Sequence, residues 1–176
     1  MLCFDIRALD VQAATVDDFL SPTDPVWREG DPVPAGPVHI TGRLSAAGAG
    51  RFYWHGRIEG EVTMPCRRCL EDTTAPVADD VYLIFVESAD EEADNPDVYT
   101  LESGALELDL RPAIREHWLL DVPTFVLCRE DCKGLCPTCG AELNQGSCGC
   151  PPVADAHAVH DARWNALHKL DSGSSE

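Results

Sequence analysis

The sequence predicts an α+β fold: an antiparallel β-meander with two helices and a cysteine-rich, zinc-binding module near the C-terminus. Three observations carry that expectation. From Val38 onward apolar residues alternate with polar ones over several segments, the period of a sheet with one dry face. Leu110, Ile114 and Trp118 recur at four-residue spacing, the period of an amphipathic helix. Eight of the nine cysteines fall in four close pairs, the spacing at which a tight turn aims two sulfurs at one ion.

The elements follow in chain order. "CFDIRALD" (residues 3–10) alternates like a strand. Residues 21–37 hold five of the 13 prolines and are expected to form a loop, because proline breaks both ladders and helices. Val38, Ile40 and Leu44 then alternate with polar residues, and "SAAGAG" supplies a hairpin connection. On the return strand Phe52, Trp54, Ile58, Val62 and Met64 share one face; Tyr53, His55, Arg57, Glu59, Glu61 and Thr63 share the other. "PCRRCLEDTT" interrupts, and "APVADDVYLIFVES" follows as a third strand whose end is apolar on both faces. "VYTLESGALELDL" adds a short strand or hairpin.

Asp109 can cap a helix reaching about residue 120, with Pro112 in its first turn and Pro123 stopping it. Arg111 and Arg115 on this helix read as a solvated face. "HDARWNALHKLDSG" predicts a last helix capped by Asp161, with Trp164 and Leu167 facing inward. The expected organisation is a β-rich core over residues 1–127 with one helix near 110–120, and a zinc module over 128–152 packed on that core. The Cys66/Cys69 hairpin contributes to the module. A C-terminal helix over 153–170 and a tail over 171–176 complete the chain.

Charge narrows the function. Thirteen basic against 31 acidic residues leave a net charge of −18, which repels nucleic acid in general and attracts basic partners. Residues 79–97 hold eight acids and no lysine or arginine, the pattern of a solvated loop after a buried strand. Over residues 38–69 the sign reverses: Arg43, Arg51, Arg57, Arg67 and Arg68 face only Glu59 and Glu61. No run approaches the ~18 apolar residues of a membrane span. The start carries Asp5 and Asp10 and no long apolar run, so no signal peptide is expected and the expected compartment is the cytoplasm, where thiols stay reduced.

The pairs are Cys66/Cys69, Cys128/Cys132, Cys136/Cys139 and Cys148/Cys150, with Cys3 alone. In "CPTCG" the proline stiffens the turn and Gly140 permits a left-handed backbone that brings amides toward the thiolates. "CRRCL" sits between two strands, where a hairpin tip would present both sulfurs, and its arginines favour the thiolate form. Eight ligands make two tetrahedral four-sulfur zinc sites. A disulfide scaffold needs an oxidising compartment, and a thioredoxin-like couple needs one CxxC in a βαβ unit. Cys132, Cys136 and Cys139 spell the CxxxCxxC of radical enzymes, yet no barrel follows them. An iron–sulfur cluster stays open, since four thiolates alone do not choose between iron and zinc. The favoured grouping is Cys66, Cys69, Cys128 and Cys132 in one site and Cys136, Cys139, Cys148 and Cys150 in the other, the second closed by a short loop. The alternative joins Cys132 to Cys136 and Cys139.

No catalytic constellation stands out. The histidines at 39, 55, 117, 157, 160 and 168 are scattered, and neither a nucleophile elbow nor a glycine-rich phosphate loop is present. No enzyme activity and no small-molecule substrate are expected. The candidate partner surface is "RFYWHGR" with "CRRC": Arg51, Tyr53, His55, Arg57, Arg67 and Arg68. Aromatic and arginine side chains on an exposed sheet can stack on unpaired bases and contact phosphates, while a solvated face without ligand is the plain alternative.

"VHITGRLSAAGAGRFYWHGRIEGEVTMPCRRCL", "LELDLRPAIREHWLLDVP", "LCREDCKGLCPTCGAELN" and "DARWNALHKL" together resemble, in order, the YceD family of large ribosomal RNA subunit accumulation proteins. The resemblance runs from Val38 to Leu170 and is loose before that. Cysteines 66, 69, 128, 132, 136 and 139 match the family's pattern position by position. It implies a non-enzymatic factor supporting the synthesis, processing or stability of large-subunit ribosomal RNA, with a ribosomal RNA precursor or a basic ribosomal protein as partner. No catalytic residues come with it. The competing class is a thiol-based redox or metal-handling protein, whose cysteines would be reactive rather than closed.

Overall fold

The computed structural model describes residues 2–87 and 98–151. The helix expected over 153–170, with Asp161, Trp164 and Leu167, lies outside the described residues, as do residues 88–97 of the acidic run. Seven strands and two helices occur among the described residues: β1 (Cys3–Asp5), α1 (Ile6–Val11), β2 (Ala14–Leu20), β3 (Val38–Gly48), β4 (Arg51–Pro65), β5 (Asp72–Glu87), β6 (Tyr99–Leu101), β7 (Glu107–Asp109) and α2 (Arg111–Asp121). Five strands form one sheet in the order β2-β3-β4-β5-β6, and β1 pairs with β7 in a two-stranded sheet.

The long strands are where alternation placed them. Phe52, Trp54, Ile58 and Val62 of β4 are buried with Ile40 and Leu44 of β3 and Val77, Val81, Leu83 and Phe85 of β5, so one face of the sheet is dry and the other meets water. β3 and β4 turn through Gly48, Ala49 and Gly50, all with positive φ. Helix α2 lays Ala113, Ile114 and Trp118 on the dry face. The Trp118 indole is seated over Gly60, where a Cβ would stand 2.9 Å from the ring, and its Nε1–H donates to the Pro32 carbonyl at 2.8 Å.

Four expectations need correction. Residues 3–10 are not one strand: the Asp5 carboxylate accepts the N–H groups of Arg7 and Ala8 at 2.8 and 3.4 Å, and this cap turns the chain into α1 after three extended residues. Strand β2 was not foreseen. It points Asp18 toward the inner face and leaves Phe19 60% exposed, inverting the usual pattern on an edge strand. The sheet is mixed rather than purely antiparallel, because β6 pairs parallel to β5.

The fourth correction concerns α2, which begins one residue later than expected. Asp109 lies before its N-cap, Leu110, but still accepts the Arg111 N–H at 3.0 Å. Arg115 is no solvated side chain either. Its guanidinium grips Asp31 through two bonds of 2.7 Å, with side chains only 15% and 8% exposed, and this clamp pins the proline-rich loop to α2.

Candidate metal centre

β4 and β5 end in a tip that places Cys66 and Cys69 just beyond Pro65, and the chain leaving α2 returns beneath it. The Arg67 N–H donates to the Val126 carbonyl at 2.9 Å, which brings Cys128 and Cys132 up to the hairpin. The eight paired cysteines therefore fall into two groups, Cys66, Cys69, Cys128 and Cys132, and Cys136, Cys139, Cys148 and Cys150, each with its sulfurs within 4.8 Å of one another. In the first group Cys66 Sγ lies 3.8 Å from Cys132 Sγ, and Cys69 Sγ 3.6 Å from Cys128 Sγ. A tetrahedron with metal–sulfur bonds of about 2.3 Å has edges of about 3.8 Å, so the donors fit a single ion. A polynuclear iron–sulfur cluster would hold its cysteines much further apart. The CxxxCxxC spacing is divided, with Cys132 in one group and Cys136 and Cys139 in the other. Cys3 lies in β1, away from both, opposite Asp109.

The two knuckles share one backbone design. The Cys66 carbonyl accepts the Leu70 N–H at 2.9 Å and the Cys136 carbonyl accepts the Gly140 N–H at 2.8 Å. Cys66 N–H donates to Glu71 O, and Cys136 N–H to Ala141 O, both at 2.8 Å. The residue closing each turn is left-handed, with φ of 73° at Gly140 and 64° at Leu70. Glycine takes that conformation freely; a side chain there costs about 1 kcal/mol or more.

Hydrogen bonds hold the sulfurs. The N–H groups of Cys69 and Arg68 converge on Cys66 and bring its thiol down to about 6. Those of Cys139 and Thr138 do the same for Cys136, also to about 6. Burial among neighbouring thiols pushes Cys128 up to about 12, and the hydrogen bond with Cys139 followed by burial pushes Cys150 to about 12. Each group thus offers at least one ready thiolate and at least one proton that a cation must displace.

The surroundings differ. Cys66, Cys69 and Cys132 are 0%, 5% and 2% exposed, whereas in the second group Cys139 is exposed and Cys148 and Cys150 are half-buried.

Two residues outside the ligand set join the groups. Asn144 donates from Nδ2 to Cys132 Sγ at 3.4 Å and accepts the Lys133 N–H at 2.8 Å. The Arg68 guanidinium donates to the Cys132 carbonyl at 2.8 Å, and the Arg68 carbonyl accepts the Leu135 N–H at 3.1 Å. Neither role has a signal in the sequence beyond the proximity of "CRRC" and "CGAELN" to cysteines.

The expected partner surface does not form a single patch. Arg51, Tyr53, His55 and Arg57 line the wet face of β4, while Arg67 and Arg68 lie at the hairpin tip. Arg57 bridges Glu59 at 2.9 Å and Asp80 at 3.1 Å, because the register sets Asp80 directly opposite it on β5. Arg67 sits over the Phe125 ring at 5.4 Å. His55 stacks on Tyr82 at 4.2 Å with the planes 6° apart, a neighbour that β-pairing supplies and the sequence did not reveal. Tyr53 remains 39% exposed beside them.

Comparison with known proteins gives one family and several relatives. The family described as large ribosomal RNA subunit accumulation protein YceD matches residues 54–171. A Zea mays protein named large ribosomal RNA subunit accumulation protein YCED homolog 1, chloroplastic, is 30% identical over 132 residues, covering 58% of this chain and 45% of its own length. The Bacillus subtilis (strain 168) protein YlbN is 27% identical over 135 residues, 76% of this chain and 74% of its own. The Arabidopsis thaliana homolog 1 is 27% identical over 122 residues, 54% and 38% respectively. The chain thus spans less than half the length of the two plant relatives. No solved structure matches it.

Proposed function

The chain belongs to the YceD family, and from that premise we propose that it is a non-enzymatic, zinc-binding factor supporting the accumulation of large-subunit ribosomal RNA in the cytoplasm. The observation that carries the zinc assignment is the pair of four-sulfur groups, each within 4.8 Å. Thiolates at tetrahedral spacing, cradled by N–H groups, suit a redox-inert ion with a structural task. The residues that would hold it are Cys66, Cys69, Cys128 and Cys132 at one site and Cys136, Cys139, Cys148 and Cys150 at the other. Bound there, zinc supplies cross-links between hairpin, helix exit and C-terminal turns. We assign the chain no catalytic step and no small-molecule substrate. Among the described residues no helix is long and apolar enough to cross a membrane.

The direct partner on this reading is a basic protein of the large-subunit precursor rather than bare RNA. A net charge of −18 opposes a polyanion. Two arginines that could meet phosphates are already engaged, Arg57 by carboxylates and Arg68 by backbone carbonyls. The wet sheet face around Tyr53, His55 and Tyr82 is the place RNA would stack if it bound directly.

Elemental analysis of the purified chain should give about two zinc ions per chain; iron, or a full fold with free thiols and no metal, overturns the assignment. In cells the tagged chain should sediment with precursors of the large subunit, and its depletion should lower large-subunit ribosomal RNA relative to small-subunit RNA. Absence of both effects overturns the biogenesis reading.

A further inference from the structure

The two knuckles are built alike and differ at one telling position. Where the second closes its left-handed turn with Gly140, the first closes it with Leu70, and that leucine is 64% exposed. The backbone favours glycine there, and water disfavours an exposed leucine, so neither local geometry nor the core accounts for the side chain. Phe125, on the segment tied to the same tip by the Arg67–Val126 bond, is 61% exposed as well. We propose that Leu70, with Phe125, is a docking knob that enters an apolar pocket on a basic protein; this rests on the biogenesis reading above and names its contact.

Charge selects the kind of partner. Within residues 66–72 and 125–133, four bases (Arg67, Arg68, Arg129 and Lys133) meet four acids (Glu71, Asp72, Glu130 and Asp131). Arg68 is engaged with carbonyls, Arg129 lies 3.4 Å from Asp131, and Arg67 is held over the Phe125 ring at 5.4 Å, which leaves the Leu70 side of the knob to Glu71 and Asp72. Four thiolates around a dication add about two negative charges, so the loaded tip is negative on a negative chain. Glu71 and Asp72, both exposed, follow Leu70 directly. An apolar knob with a carboxylate rim matches a segment of lysines or arginines around an apolar pocket: the apolar contact gives affinity and the rim gives approach. A nucleic acid strand would meet the same rim as repulsion.

Leu70→Gly separates docking from folding, because glycine suits the backbone at that position. In the zinc-loaded chain it should leave metal content unchanged and the melting temperature equal or higher. Binding is measured against two probes: the protein fraction extracted from large ribosomal subunits, and protein-free large-subunit ribosomal RNA. The wild type should bind the protein fraction, and Leu70→Gly should weaken that binding about tenfold or more. Phe125→Ser should act in the same direction with zinc retained. Equal binding by Leu70→Gly overturns the proposal, as does zinc loss in that variant or binding of the wild type to RNA alone. If the wild type sediments with precursors and Leu70→Gly does so equally, only the knob falls. If the wild type does not sediment with them, the biogenesis reading falls first.

Discussion

Asn144 touches both halves of the metal-binding region without being a ligand. Its amide donates to the Cys132 sulfur and its carbonyl oxygen fixes the Lys133 N–H, so the chain around the second group orients a thiolate of the first. Partners of this kind commonly change metal affinity by about 10–100-fold. Asn144→Ala should therefore weaken the first site by about that factor in competition with a chelating dye. Asn144→Asp should be worse, since a carboxylate cannot donate to sulfur and adds charge beside thiolates. The cysteines were legible because close pairs stand out in one dimension. Asn144 and Arg68 were not, because a polar residue in a turn acquires its task only when positions 68, 132 and 144 meet in space. The partner of Arg57 was hidden for the same reason: register, which a single strand does not display, set Asp80 opposite it.

Among the elements, α2 depends on one side chain more than any other. Trp118 is fully buried, sits over Gly60, donates to Pro32 and meets Trp27 edge-on at 6.1 Å. Trp118→Ala should cost about 3–5 kcal/mol in denaturant unfolding and loosen residues 21–37 along with the helix. A loss below about 1 kcal/mol would mean the loop and helix are held by the Arg115–Asp31 clamp instead. Strands β3, β4 and β5 were readable because long alternation on a half-buried sheet leaves a strong period. β2 was not, because Asp18 and Phe19 occupy each other's expected faces. α1 was hidden by its length, six residues being too few to show a helical period.

At the scale of the whole molecule, acid and chelators should act in a fixed order. The second site is open at Cys139 and the first is the more enclosed, with three of its four cysteines buried, so a chelator should remove metal in two phases, the second site first, with residues 136–150 loosening while the sheet persists. Protons compete for the same sulfurs. Cys128 and Cys150, the sulfurs whose surroundings raise their affinity for protons, are where that competition bites first, so metal should leave as the pH falls. The sheet and its loop outlast that step. The Arg115 guanidinium holds the Asp31 carboxyl below its ordinary 3.8; this stabilisation is present above 3.8 and is lost only as the pH falls through the lower folded value. Zinc release and loss of near-ultraviolet dichroism, followed together in an acid titration, should come as two separate steps. A single step would show that the metal holds the sheet itself.

The first site also imposes a schedule on synthesis. Cys69 and Cys132 are 63 positions apart (132 − 69), and a ribosome adds about 5–20 residues per second. For roughly 3 to 13 seconds after the hairpin emerges, its two sulfurs wait without the other half of their tetrahedron. The nascent chain is most open to oxidation, or to capture of the wrong ion, during that interval, and it passes only when the segment leaving α2 arrives.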